Sequence, residues 1–161
     1  MTNQKVWHKE KTISQLAMYP LTLFLIGLAL GLVVDLFFPV RLMSKPIFSL
    51  LGFLLIVASS VLVFWTQGIS HKFRKLGKQV EVEPHHFKRG PYRFSRHPSY
   101  LGVTFLLVGF GMLINSVMVL LFTLITFLVI HFVFIEKEEA RLEQKHKHKY
   151  LEYKKSVRPW L

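Results

Sequence analysis

The 161-residue chain contains no cysteine. Disulfides, thiolate metal sites and thiol nucleophiles are excluded together, and cysteine usage carries no message about redox compartment. Acids are scarce as well, with 9 Asp and Glu against 21 Lys and Arg and a formal net charge of +12. Charge is missing altogether from long blocks of the chain. Segments 21–34, 47–65 and 100–114 hold no charged residue, and 117–135 holds only His131. Runs of roughly 17–25 apolar residues are what cross a hydrocarbon core. With 52% hydrophobic residues gathered into four such blocks, the chain reads as an all-α integral membrane protein with four transmembrane helices.

Basic residues are absent between the third and fourth blocks. They cluster before the first block, in 66–99 and after 135, with only Arg41 and Lys45 between the first two. Lys and Arg concentrate on the cytoplasmic side of membrane proteins. The distribution predicts a multi-pass protein with both termini and 66–99 cytoplasmic, in the inner membrane if bacterial, and the 39–46 loop outside. Basic flanks facing anionic headgroups make membrane lipids the expected partners and account for the charge without nucleic acid. The basic N-terminal stretch precedes an apolar run too long for a signal peptide and lacks a small-residue cleavage pattern, so a retained first helix is expected.

The pattern is that of a single domain over 1–161, without internal repeats or low-complexity tracts. Residues 1–15 form a cytoplasmic N-terminal segment and 16–65 the first two helices. Gly27 and Gly31, four apart in the first helix, make a close-packing stripe that would permit a homodimer. Asp35 sits near the outer end, where Arg41 can balance it. Pro39 ends helix one and Pro46 opens helix two. Residues 66–99 form a cytoplasmic loop broken by Gly77, Pro84, Gly90 and Pro91. The third and fourth helices pair as a C-terminal hairpin within 98–161, with Gly102 and Gly109 on one face to let them approach. A cytoplasmic helical tail continues from the fourth without a break, because residues 136–153 are mostly good helix formers.

Chemistry concentrates at one depth. In Ser95-Arg96-His97-Pro98-Ser99-Tyr100, Pro98 keeps His97 out of the α region at the start of a helix. The first amides of that helix and the Arg96 charge favour an anion there. Tyr100, one turn deeper, can frame the same ligand. In an antiparallel hairpin the end of helix four lies beside this turn. Glu138, seven residues from His131 and on its face, would meet Arg96, His97 and Tyr100, with Glu139 about 100° away. A plain Arg96–Glu138 ion pair holding the hairpin is the simplest competing reading. His146 and His148 diverge on a helix, so no metal site is expected. Haem would need facing histidines inside the membrane, and only His131 qualifies.

Gly90-Pro91-Tyr92, then Arg96-His97-Pro98-Ser99-Tyr100-Leu101-Gly102, then Glu138-Glu139 and Leu142, then Tyr150-Leu151-Glu152-Tyr153-Lys154-Lys155 and Val157 closely resemble the isoprenylcysteine carboxyl methyltransferase family. The wider group includes membrane phospholipid N-methyltransferases. The resemblance covers about residues 84–161 and implies a methyltransferase dependent on S-adenosylmethionine, acting on a lipophilic acceptor from the bilayer. It implies a cofactor site within 84–161 lined by Tyr92, His97, Pro98, Ser99, Tyr100 and Glu138. His85, His86 and Phe87 correspond to a further cofactor-contacting stretch and would contribute mainly through backbone.

Two positions depart from the pattern. Phe134 stands where the prenylcysteine enzymes carry an arginine associated with substrate, and His146-Lys147 replaces a Phe-Gly. Arg96 is therefore the leading candidate to position the acceptor, with His131 second as a partial replacement for the missing arginine. A carboxylate acceptor is already a nucleophile, whereas an amine must first be neutral. The carboxylate reading leads. Phospholipid N-methylation and a non-catalytic membrane scaffold are the alternatives.

Overall fold

A computed structural model describes residues 3–42, 46–79 and 88–160, with side chains described throughout except at 3–19, 73–79 and 145–146. Every regular element among them is helical: α1 (Asn3–Phe37), α2 (Pro46–Gln79), a 3-10 turn (Gly90–Arg93), α3 (Pro98–Leu113) and α4 (Val117–Val129). A π-helical turn (Ile130–Ile135) then leads into α5 (Glu136–His146) and α6 (His148–Ser156). Helices are the expected solution, since open sheet edges find no hydrogen-bond partners in lipid.

Three stretches are long and apolar enough to cross a membrane: Pro20–Phe37, Pro46–Lys72 and Val117–Gln144. The sequence expectation was four. The remaining apolar helix, α3, has 16 residues. At about 1.5 Å rise per residue it reaches about 24 Å, short of a hydrocarbon core of about 30 Å.

Glycine decides how the helices pair. α3 packs chiefly on α2, and α4 chiefly on α1. A Cβ on Gly52 would fall 2.7 Å from the Gly109 carbonyl oxygen and the Leu113 nitrogen, so the α2 and α3 backbones nearly touch. Gly102 also faces α2, where it meets the Val63 side chain. The Gly102 and Gly109 face was expected to bring α3 onto α4 and instead seats it on α2, with Gly109 against Gly52 and Gly102 against Val63. The α1 stripe is also taken up within the chain. Gly27 lies against Thr126 and Gly31 against Val119 and Phe122, so the stripe read as a homodimer contact packs within the chain.

At the end of the bundle remote from Arg96, the end of α1 and residues 40–42 are clamped to the α3–α4 turn. Asn115 adopts φ 57, a left-handed conformation that Asn tolerates, and the Ser116 side chain caps α4 by accepting from the Val119 amide at 3.1 Å. The Ser116 hydroxyl donates to Asp35 at 2.6 Å, and Arg41 pairs with the same carboxylate at 3.0 Å. Backbone bonds Val117 N–H to Val40 C=O and Leu42 N–H to the Asn115 side chain complete it. Asp35→Ala strands a buried hydroxyl and is expected to cost about 1–3 kcal/mol, whereas Asp35→Asn keeps an acceptor and should cost less. Thermal unfolding of both variants in detergent checks the order.

Two further expectations are corrected. Residues 66–79 are not loop, because α2 runs on to Gln79 with Gly77 inside it. The tail is not one helix, because Lys147 at φ 47 separates α5 from α6. That break lets α6 fold back so that Tyr150, Tyr153 and Val157 bury one another against Leu142. Burial raises the pKa of both tyrosines, so they stay neutral hydrogen-bonding groups.

Candidate functional site

The site begins with a turn that requires glycine. Gly90 has φ 54, and a Cβ there would lie 2.1 Å from Ile69 of α2. The following 3-10 turn buries Pro91 and closes with Phe94 and Ser95 amides donating to the Pro91 carbonyl. Ser95 is fully buried; its hydroxyl accepts from the His97 amide and donates to the Pro159 carbonyl. His97, at φ −125 and ψ 51, is non-helical as Pro98 dictates, and its carbonyl accepts the first α3 bond from Leu101.

Arg96 and His97 both reach the end of the π-helical turn and α5. Arg96 Nη1 donates to Glu139 Oε2 at 3.2 Å, and His97 Nε2 lies 3.1 Å from Glu139 Oε1. An ionised carboxylate only accepts, so His97 Nε2 carries hydrogen in this bond. Lys154 of α6 approaches Glu139 Oε2 at 3.1 Å and also bonds Glu143, chiefly for which its pKa is raised. Next to this hub, the Tyr100 hydroxyl donates to Glu138 Oε2 at 2.8 Å, with His97 Nδ1 3.9 Å from that oxygen. The His97 and Tyr100 rings stack at 5.8 Å with 12° between planes.

The acid that Arg96 meets is thus Glu139, where the sequence pointed to Glu138. The π-helical turn accounts for the exchange. A π turn holds one more residue than an α turn, and each residue rotates the helix by about 100°. After it, Glu138 and Glu139 both address α3. No residue pattern in 130–135 announces the turn, although the adjacent acid was already in the Glu138-Glu139 pair.

Of the other expected site residues, Pro98 is buried and Ser99 half-buried in the first turn of α3. Tyr92 shares a 2.7 Å hydrogen bond with Ser70, and its carbonyl accepts from Tyr153 at 2.7 Å. It braces α2 and α6 beside the hub. His131 lies away from the carboxylates, and its Nδ1 accepts from the Trp160 indole at 3.3 Å. His85, His86 and Phe87 lie outside the described residues. Sequence reasoning missed Lys154 and Trp160, which are brought in only by the folding back of the tail, and Ser70, which is carried to Tyr92 because α2 runs on to Gln79.

The donor set has a definite chemistry. Glu139 is neutralised by three cationic or donor groups and is nine-tenths buried. Glu138 has one phenolic partner and a side chain 42% exposed, so it can take a cation. Arg96 Nε is buried with no hydrogen-bond partner among the described residues, and can donate to an anionic oxygen. Group by group, this suits a small zwitterion beside aromatic faces. Among the described residues no cluster of His, Asp and Glu could hold a metal.

An all-helical membrane protein whose polar side chains converge where an apolar helix gives way to a charged one is the class defined by this fold and site. The phospholipid methyltransferase family model matches residues 47–149, and the chain belongs to that family of membrane methyltransferases. The match takes in α2, the Arg96-His97-Pro98 turn and both glutamates. No curated protein and no solved structure matches the chain.

Proposed function

We propose that the protein transfers a methyl group from S-adenosylmethionine to a lipophilic acceptor, with a lipid-borne carboxylate as the acceptor group. The observation that carries this reading is the meeting of Glu138 and Glu139 with Arg96, His97 and Tyr100. When bound, the cofactor supplies an electrophilic methyl on a sulfonium. Its residues would be Glu138 for the cationic amino group, the first free amides of α3 for the carboxylate, and the stacked His97 and Tyr100 rings beside the sulfonium. Glu139 holds Arg96 and His97 in place and is too fully paired to act as a base.

The unpartnered Arg96 Nε–H is suited to an acceptor carboxylate. Such an acceptor has no proton to lose, so the chain's task is orientation, which can contribute roughly 7–11 kcal/mol to lowering a barrier. N-methylation of an aminophospholipid is the second reading, favoured by the family's description and by Phe134 in place of an acceptor-binding arginine. In the membrane, α3 would be a fourth crossing paired antiparallel with α4, with both termini and the site at the cytoplasmic face. Support comes from the basic flanks and from the contacts of Tyr100 with Glu138 at one end of α3 and Gly111 with Leu120 at the other.

Calorimetry of S-adenosylmethionine binding in detergent tests the reading. Wild type should bind, and Glu138→Ala and His97→Ala should each weaken binding by about tenfold or more, the value of a charge-assisted contact. Absence of binding by folded wild type would leave only a scaffold. Labelled-methyl transfer to a prenylcysteine, a fatty acid and phosphatidylethanolamine then separates the two acceptor chemistries.

A further inference from the structure

His131 is a polar ring in the middle of an otherwise apolar stretch, inside the π-helical turn. Such turns are often found where a helix serves a site. Its half-buried ring stacks on Phe127 at 6.4 Å and lies 5.5 Å from Trp160, whose indole N–H donates to Nδ1 at 3.3 Å. An indole only donates, so Nδ1 must offer its lone pair and the ring hydrogen sits on Nε2. No hydrogen bond among the described residues uses that Nε2–H. The flanking Leu128, Val129, Phe132 and Val133 are all exposed, so His131 opens at a surface that lipid covers. An unpartnered N–H in such surroundings is costly and marks a place for a ligand.

The tail places Trp160 deliberately. The Arg96 amide donates to the Arg158 carbonyl at 3.0 Å and Ser95 donates to the Pro159 carbonyl at 3.0 Å, so 158–160 lie strapped across the start of α3. Trp160 thereby stands between His97, 6.2 Å from its ring, and His131. One indole separates the charged site from the bilayer-facing histidine and touches both.

We propose that His131, fixed by Trp160 as the Nε2–H tautomer, donates a hydrogen bond to an acidic oxygen in the polar head of the lipid acceptor. Trp160 is the positioning residue, acting through the ring it orients. The assignment rests on the methyltransferase reading for its biological sense, though the tautomer and the lipid contact are measurable without it. It also bears on the acceptor. A histidine held in this way is a donor, so it suits a carboxylate or phosphodiester oxygen and is not available at Nδ1 as a base for an amine.

The test is nitrogen NMR of ring-labelled histidine in non-ionic micelles, titrated with oleate or with dioleoylphosphatidylethanolamine. His131 should show the Nε2–H tautomer in wild type and a mixture in Trp160→Phe, which keeps the ring and loses the donor. One or both lipids should shift the Nε2–H signal, a shift by oleate alone naming a carboxylate and by the phospholipid alone a phosphodiester. His131→Leu should raise the acceptor KM by about tenfold, as expected for one hydrogen bond to a charged oxygen, and His131→Gln should recover part of it. S-adenosylmethionine binding should be unchanged in the two His131 variants. An Nδ1–H tautomer in wild type, or no shift with either lipid, overturns the proposal even if the cofactor binds. Failure of the cofactor to bind wild type while the lipid shift persists would instead remove the methyltransferase reading and leave a lipid site.

Discussion

Glu139→Ala is expected to be the most damaging single change near the site, destabilising the protein by about 3–5 kcal/mol. The side chains of Arg96 and Glu139 are 8% and 9% exposed, so removing the acid leaves a nearly buried guanidinium and the His97 ring without their partner. Breaking one side of a buried ion pair costs far more than its net contribution, because the remaining charge is neither solvated nor paired. Lys154, 38% exposed, is a different matter, and Lys154→Ala should cost no more than about 1 kcal/mol. Glu139→Gln should fall between the two, keeping an oxygen for one donor while losing the charge. Thermal unfolding in detergent gives this order directly. Equal effects of Glu139→Ala and Lys154→Ala would refute the hub.

The second large effect belongs to Gly52, far from any charge. A methyl group there meets backbone, the Gly109 oxygen and the Leu113 nitrogen at 2.7 Å, and neither can turn aside as a side chain would. Gly52→Ala is expected to cost about 1–3 kcal/mol as α2 and α3 are forced apart, and Gly52→Leu to leave no folded protein. Gly68, in the same helix, has nothing within 4 Å of its would-be Cβ. Gly68→Ala should therefore be neutral or stabilising by up to about 1 kcal/mol through helix propensity. Unfolding by sodium dodecyl sulfate, followed by circular dichroism, separates the two sites. Because α3 carries Arg96 and His97 at its start, Gly52→Ala should also weaken cofactor binding at a distance.

Much of this arrangement is legible residue by residue. The apolar blocks, the Asp35–Arg41 pairing, the non-helical His97 before Pro98, and Tyr100 one turn on are local consequences of burial, charge and proline geometry. Tyr100 meeting Glu138 follows once the helices run antiparallel. What escaped was azimuth. Gly102 and Gly109 do share a face, but nothing in their spacing says whether α2 or α4 will fill it. The Arg96 partner moved from Glu138 to Glu139 through one extra residue in a turn. Lys154 and Trp160 came to the site only because Lys147 broke the tail and α6 folded back.

By itself, the sequence determined that the chain is helical and membrane-bound, and that a basic, ring-bearing turn faces an acidic pair at one depth. Those outcomes depend on composition and on backbone preferences, which each residue carries with it. Tertiary structure alone decided which acid is buried as the hub, which helices touch through glycine, and which indole holds His131. These depend on rotation about helix axes, where a single added residue turns everything beyond it by about 100°.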